Sequence, residues 1–402
     1  MTSPLPGASR APAPAMADRL PTVGVEEEFL LLWPDGDAAC VAPEVIGRLP
    51  PDVPAHLEFT RYQVESATGI CTDLVTVARQ LAVARRALAR SAADSGARLI
   101  AGGTAPYGAP GVSGLTDDAR YRSLVAQVPG ISGEEGTCAC HVHVGVATRE
   151  LGVHVLNRIR PWLPVLIALS GNSPLWRGRD TGWSSYRFAV QRRWPSFVPP
   201  PLCRDLEEYD AHLAERMTAT APPDARSVYY WARLSPRYPT VEVRIADVGH
   251  SIVDAVLLAG LSCCLVTTAA ADAHAERPWI RVPDRAVTRA AFAAARRGLA
   301  ATLVSPVSGR AAPALEVLDE LLAVIAPAAE AAGDGPLLRA LLAERLRRGS
   351  GAERQLSLWC AGRPEALVQG LAGVSAGRDS ASAQLLLGAR PAVVPQPAAG
   401  SE

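Results

Sequence analysis

The 402-residue chain carries 40 basic and 40 acidic side chains and a formal net charge of zero, so nothing electrostatic points to nucleic acid or an anionic membrane as a partner. Every one of the basic Lys/Arg positions is arginine. That excludes a Walker-type lysine, a Schiff base and a lysine general base, and it leaves anions to be gripped by guanidinium forks.

The first 20 residues are Pro/Ala-rich without an apolar signal core and read as a disordered tail. Thr22 to Trp33 reads as a strand closed by the Pro34-Asp35-Gly36 turn, and a Pro-rich connector leads to a second strand at Gln63 to Glu65. Leu74, Val77, Leu81, Ala84 and Leu88 recur at helical spacing, which predicts a helix over Thr72 to Ser95 with Thr72 as N-cap and Gly96 as the stop. Arg98 to Gly103 reads as a short strand running into a loop, and Cys140 to Val146 as a further strand. A helix bent at Pro161 and Pro164 is expected over Leu151 to Ser170. Gly171 to Trp194 is rich in Gly, Ser, Arg and Trp and reads as a loop. A helix around Leu206 to Met217, a strand at Thr240 to Asp247 and a buried apolar helix over Ala255 to Ala271 follow. Ala-rich helices, including Ala314 to Ala326, fill the C-terminal part, and residues 388–402 read as a second tail. Eight scattered cysteines in a chain long enough to build a core without staples fit a reduced, cytoplasmic, soluble protein.

Four of the strands hide a charged face. Alternate strand residues share a side, so Glu26 and Glu28 oppose Val25, Glu27 and Phe29, and Gln63 and Glu65 oppose Val64. His141 and His143 oppose Val142 and Val144, while Glu242 and Arg244 oppose Val241, Val243 and Ile245. If these strands share a sheet, the gathered carboxylates repel one another unless cations sit among them. The pattern therefore predicts a divalent-metal site on the open face of a sheet. Taken singly, each feature has a plainer reading. A three-Glu run also describes a solvated strand edge, a Glu-x-Arg pair an ion pair within the sheet, and Arg beside Trp a stiffened loop. Cys138, Cys140, His141 and His143 invite a zinc reading, but four ligands within six residues of an extended strand cannot converge on one ion.

Six motifs in order carry a resemblance. They are G-V-E-E-E at Gly24 to Glu28, the strand ending at Glu65 and leading into C-T-D-L, G-T-A-P at Gly103 to Pro106, H-V-H-V-G at His141 to Gly145, S-P-L-W-R-G-R-D-T-G-W-S-S-Y-R at Ser173 to Arg187, and P-T-V-E-V-R-I-A-D at Pro239 to Asp247. Over roughly Pro21 to Leu371 the chain resembles the carboxylate–amine ligases, also called glutamate–cysteine ligase type 2, of the glutamine synthetase-like superfamily. The resemblance implies an α+β fold in one catalytic domain over residues 21–387, with a curved, mainly antiparallel sheet whose open face holds the site and helices packed behind. It also implies ATP and Mg2+ as cofactors. Glutamate's γ-carboxylate would be activated as an acyl phosphate and joined to an amine, that of cysteine.

By the same resemblance Glu26, Glu28, Glu65, Glu242 and His143 are metal ligands. Arg244, Glu242 and His143 are catalytic, and Arg244, His143 and Arg179 meet the nucleotide. Arg177, Arg187 and Ser185 meet the substrate. Three alternatives stay open: another acid or amine in the same chemistry, a non-catalytic nucleotide-binding homologue, and a zinc hydrolase. The expected partners are small molecules, with no nucleic acid and no membrane, and the length and fold are compatible with a homodimer.

Overall fold

The computed structural model describes residues 21–127, 136–360 and 362–377; the two expected tails lie outside them. The strands in chain order are β1 (Val23–Leu32), β2 (Ala55–Leu57), β3 (Gln63–Ala67), β4 (Arg98–Ile100), β5 (Ala139–Gly145), β6 (Leu175–Trp176), β7 (Arg179–Asp180), β8 (Ala232–Leu234) and β9 (Thr240–Asp247), followed by a short β10–β11 hairpin (Thr302–Val304 and Ala311–Pro313). Seven of them form one antiparallel sheet in the order β2-β3-β1-β5-β9-β8, with β4 paired to β1 off this path. The expected α+β architecture with an open antiparallel sheet is what the chain adopts.

Alternation fixes which face is which. Val23, Val25, Val142, Val144, Val241, Val243 and Ile245 are all buried in one core cluster with the helices behind the sheet. Each such side chain contributes roughly 1.5–3 kcal/mol on burial. A one-residue slip of β1 or β5 would send that row to the open face and bury glutamates and histidines instead, so the register is strongly determined. The helices Leu74–Asp94, Leu163–Ser170 and Ile252–His274 pack against this rear side. The last is long and apolar enough to cross a membrane, but 78% of its most apolar window is buried in the interior, as expected for a core helix.

One charge breaks the rear-face pattern. Glu27, 1% exposed, receives a two-pronged hydrogen bond from Arg85 of the Leu74–Asp94 helix, with Nε at 2.8 Å from Oε2 and Nη2 on Oε1. Arg85 Nη2 also donates to the Gly249 carbonyl at 2.8 Å, and its guanidinium lies 5.2 Å from the Phe29 ring. The middle glutamate of the Glu26–Glu28 run thus ties the sheet to its supporting helix.

Local details differ from the sequence reading in three places. The Leu74–Asp94 helix is capped by Asp73 rather than Thr72, because the Asp73 carboxylate accepts from Thr76 N at 2.7 Å. The proline-bent helix is two helices, Arg149–Ile159 and Leu163–Ser170, joined by a 3-10 turn at Arg160–Trp162. Gly171 to Trp194 is not simply a loop, since it holds the β6–β7 hairpin and the helix Tyr186–Gln191.

Candidate active site

The sheet's open face forms the floor of a hollow of about 280 Å³, lined by all eight side chains that alternation placed there: Glu26, Glu28, Gln63, Glu65, His141, His143, Glu242 and Arg244. Register accounts for the convergence. Glu28 lies opposite Glu65, Glu26 opposite His141, and His143 opposite Glu242, so directly facing pairs lie within contact reach.

One group is tight. Glu26, His143 and Glu242 each offer an atom such that all three atoms lie within 4.8 Å of one another. His143 Nε2 is 3.3 Å from Glu26 Oε1 and 3.9 Å from Glu242 Oε1. It is a buried atom with no hydrogen-bond partner among the described residues. Glu242, 1% exposed, is gripped by Arg233 (Nε to Oε2 2.7 Å, Nη2 to Oε1 3.2 Å) and by Arg244 Nη1. Burial works against its ionisation, but the Arg244 and Arg233 charges outweigh burial and hold it well below the usual carboxylate range. Glu26 is likewise held low against burial, chiefly by its contacts with the His141 and His143 imidazoles. Burial and the nearby Arg244 push the His141 imidazole down to about 4, so it is neutral near pH 7.

The neighbouring acids lack that compensation. Burial first, then the Glu58 charge, pushes Glu28 up to about 8, although Arg187, the Ala139 amide (2.7 Å) and Arg244 pull the other way. Glu65 is raised well above its ordinary value by burial and by the charges of Glu58, Glu26 and Glu28. Crowded acids of this kind ionise together only when a cation is among them. The donor set, mostly carboxylate oxygen with one imidazole whose Nε2 is unpartnered, fits a hard divalent ion such as Mg2+.

Arginine and aromatic side chains close the remaining walls, among them Arg120, Tyr121, Arg187, Trp194, Tyr229 and Arg233. Arg187 is 4% exposed and is held from behind. Its Nη1 donates to the Ile245 carbonyl at 3.1 Å and lies 3.8 Å from Asp247. Asp247 is a hub, accepting from Asn172 N (2.9 Å), Ser173 Oγ (2.7 Å) and Ser185 Oγ (2.7 Å). Gly103 of the G-T-A-P motif sits so close that a Cβ there would lie 3.0 Å from both Asp247 Cγ and Ser173 Cβ.

The sequence profile of glutamate–cysteine ligase family 2 matches residues 22–369. The chain is 40% identical over 350 residues to "Putative glutamate--cysteine ligase 2-1" of Nocardia farcinica, spanning 87% of this chain and 91% of that protein. It is 38% identical over 364 residues to "Putative glutamate--cysteine ligase 2-2" of Saccharopolyspora erythraea, spanning 88% and 92%. This chain belongs to glutamate–cysteine ligase family 2. Its chemistry is that of a carboxylate–amine ligase. The fold is shared with a Francisella tularensis glutamate–cysteine ligase crystallised with AMP (TM-score 0.69, 12% identity, 92% of each chain). It is also shared with a bifunctional glutathione synthetase from Pasteurella multocida (TM-score 0.63, 16% identity, 89% of this chain and 52% of that one).

Within this ligase the expected site residues divide. Glu26, Glu28, Glu65, His143, Glu242, Arg244 and Arg187 all line the hollow. Arg177, Arg179 and Ser185 do not. The two arginines are exposed on the β6–β7 hairpin, where the Arg177 guanidinium lies 5.6 Å from the Trp176 ring centroid. In that hairpin Leu175 pairs with Asp180 and Trp176 with Arg179. Ser185 is spent as the N-cap of the Tyr186–Gln191 helix and as a donor to Asp247.

The zinc quartet is not assembled either. Cys140 and Cys138 are buried in the two hydrophobic core clusters, whereas His141 and His143 face the hollow. The eight cysteines are free. Sequence reasoning missed Arg233, which lies on a three-residue strand too short to show alternation. It also read Asp247 as no more than a strand end; the run of Ser and Asn in the Gly171–Arg187 segment that binds it was the available signal.

Proposed function

We propose that this protein is an ATP-dependent ligase that activates the γ-carboxylate of glutamate and joins it to the amine of cysteine. A carboxylate oxygen attacks the γ-phosphorus of ATP, the bond to the β-phosphate oxygen breaks, and ADP leaves with that electron pair. The resulting acyl phosphate is attacked at its carbonyl carbon by the neutral amine. Phosphate departs, the nitrogen loses a proton, and the amide remains.

The observation that carries this reading is the convergence of Glu26, His143 and Glu242 to within 4.8 Å, beside Glu28, Glu65, Arg244 and Arg187 in one hollow. Glu26, His143 and Glu242 would hold one Mg2+, and Glu28 with Glu65 a second. Bound there, Mg2+ supplies charge neutralisation for the triphosphate. The transfer itself asks the protein mainly for positioning and positive charge. Arg244, pinned through Nη1 to Glu242, is assigned to the charge that builds on the transferring phosphoryl group. Arg187, clamped by the Ile245 carbonyl and Asp247, is assigned to the carboxylate substrate. A reduced intracellular compartment, where cysteine is available as a thiol, is proposed on the same basis.

Phosphate release with Mg2+, ATP, glutamate and cysteine tests this. The proposal requires release to depend on both amino acids. Release with glutamate that ignores cysteine would keep the acyl phosphate and move the acceptor to another amine, which a screen read by ADP formation would find. No release with any acid would overturn the reading.

A further inference from the structure

Strand β9 begins at Thr240, whose side chain shares the open face with Glu242 and Arg244 two and four residues on. Thr240 faces Gly145 across the β5–β9 ladder while His143 faces Glu242, so Thr240 is the diagonal neighbour of His143, within reach of a ring. The contact is made: Thr240 Oγ1 lies 2.9 Å from His143 Nδ1. On a second side the Tyr238 ring meets the imidazole edge-on, with centroids 5.9 Å apart. The Thr240 amide donates to the Tyr238 carbonyl at 2.7 Å, so the turn that carries the tyrosine also fixes where the hydroxyl sits.

From this geometry we infer that Thr240 is a positioning residue that sets the tautomer and orientation of His143, so that Nε2 offers its lone pair to a divalent cation shared with Glu26 and Glu242. The inference rests on the metal-binding role given to those residues above. A neutral imidazole carries one ring proton and can ligate only through the other nitrogen. The Thr240 hydroxyl can accept from Nδ1–H, and in that tautomer the other nitrogen is Nε2, the buried atom 3.3 Å from Glu26 Oε1 and 3.9 Å from Glu242 Oε1. A valine has the shape of threonine but offers no acceptor. The Nδ1–H would then lose its partner, and both the competing tautomer and other ring orientations would become accessible. Removing such an outer partner typically weakens metal affinity about 10–100-fold.

The test is a Mn2+ titration of the full chain without nucleotide, reading free Mn2+ by electron paramagnetic resonance for wild type, Thr240→Val, Thr240→Ser and His143→Ala. Thermal melting of each variant serves as a check on folding. The expected result is Thr240→Val binding Mn2+ about 10–100-fold more weakly at an unchanged melting temperature, Thr240→Ser near wild type, and His143→Ala weakened at least as much as valine. If Thr240→Val matches wild type while His143→Ala is weakened, the threonine's role is refuted and the metal site stands. If His143→Ala also matches wild type, or wild type binds no Mn2+, the metal assignment fails and this inference with it. A serine variant as weak as valine would likewise refute the hydroxyl's role.

Discussion

Two kinds of carboxylate share the hollow, and their neighbours decide what each does. Glu242 and Glu26 are ionised because arginines and histidines compensate them against burial, whereas Glu28 is pushed up to about 8 and Glu65 is raised well above its ordinary value by burial and by the acids around it. Glu26→Gln keeps the shape and removes the charge, and Arg244→Ala removes a guanidinium from the proposed phosphoryl site. Each is expected to lower acyl phosphate formation by at least about two orders of magnitude, measured as ADP release, with the circular dichroism spectrum unchanged. Near-normal turnover in either variant would remove that residue from the mechanism. Behind the sheet, Arg85→Met strands the buried Glu27 charge and is expected to cost about 3–5 kcal/mol in urea unfolding. Glu27→Leu combined with Arg85→Met should recover most of that loss. A single variant as stable as wild type would show the pair to be dispensable.

At the scale of elements, the Gly171–Gln191 segment matters because it carries Arg187 to the sheet. Asp247, at the end of β9, fastens it through Asn172, Ser173 and Ser185. Asp247→Ala leaves three donors and the Arg187 charge without their buried acceptor, and is expected to lower stability by about 3 kcal/mol. It should also raise the KM for the carboxylate substrate more than the KM for the amine, which steady-state kinetics would separate. An equal rise in both KM values, or none, would mean that Arg187 does not meet that substrate.

This segment was also where the sequence was least legible. Strands β1, β3, β5 and β9 could be read because a period of two sorts charge from valine in five to ten residues, and both the sheet face and its metal-type residues follow from that sorting. The β6–β7 hairpin is two residues a side, and a six-residue helix shows no period. Arg177 and Arg179 were expected at the site through the resemblance rather than through any period, and the structure places them on the exposed hairpin outside the hollow. Arg233 was illegible for the same reason.

Taken whole, the molecule joins a charged front to a mostly apolar back, and a buried imidazole predicts how its stability depends on pH. His250 is buried, and burial together with the Arg354, Arg85 and Arg348 charges holds its imidazole down to about 4, against the opposing pull of Asp254. The unfolded chain takes up that proton near pH 6.5, the folded one only near 4. This group's contribution is therefore fully present above about pH 6.5 and is lost as pH falls toward about 4, an effect on the order of 3 kcal/mol. His250→Asn should flatten the fall in urea midpoint between those pH values relative to wild type. Parallel curves would place the acid sensitivity elsewhere.

The claim on which the molecule's chemistry turns is that a carboxylate, not another group, attacks the γ-phosphorus in this hollow. Glutamate carrying heavy oxygen in its γ-carboxylate, incubated with the protein, ATP, Mg2+ and cysteine, reports on it directly. One labelled oxygen should pass into the released phosphate for each amide formed, with ADP as the nucleotide product. Unlabelled phosphate, or AMP and pyrophosphate in place of ADP, would contradict the account.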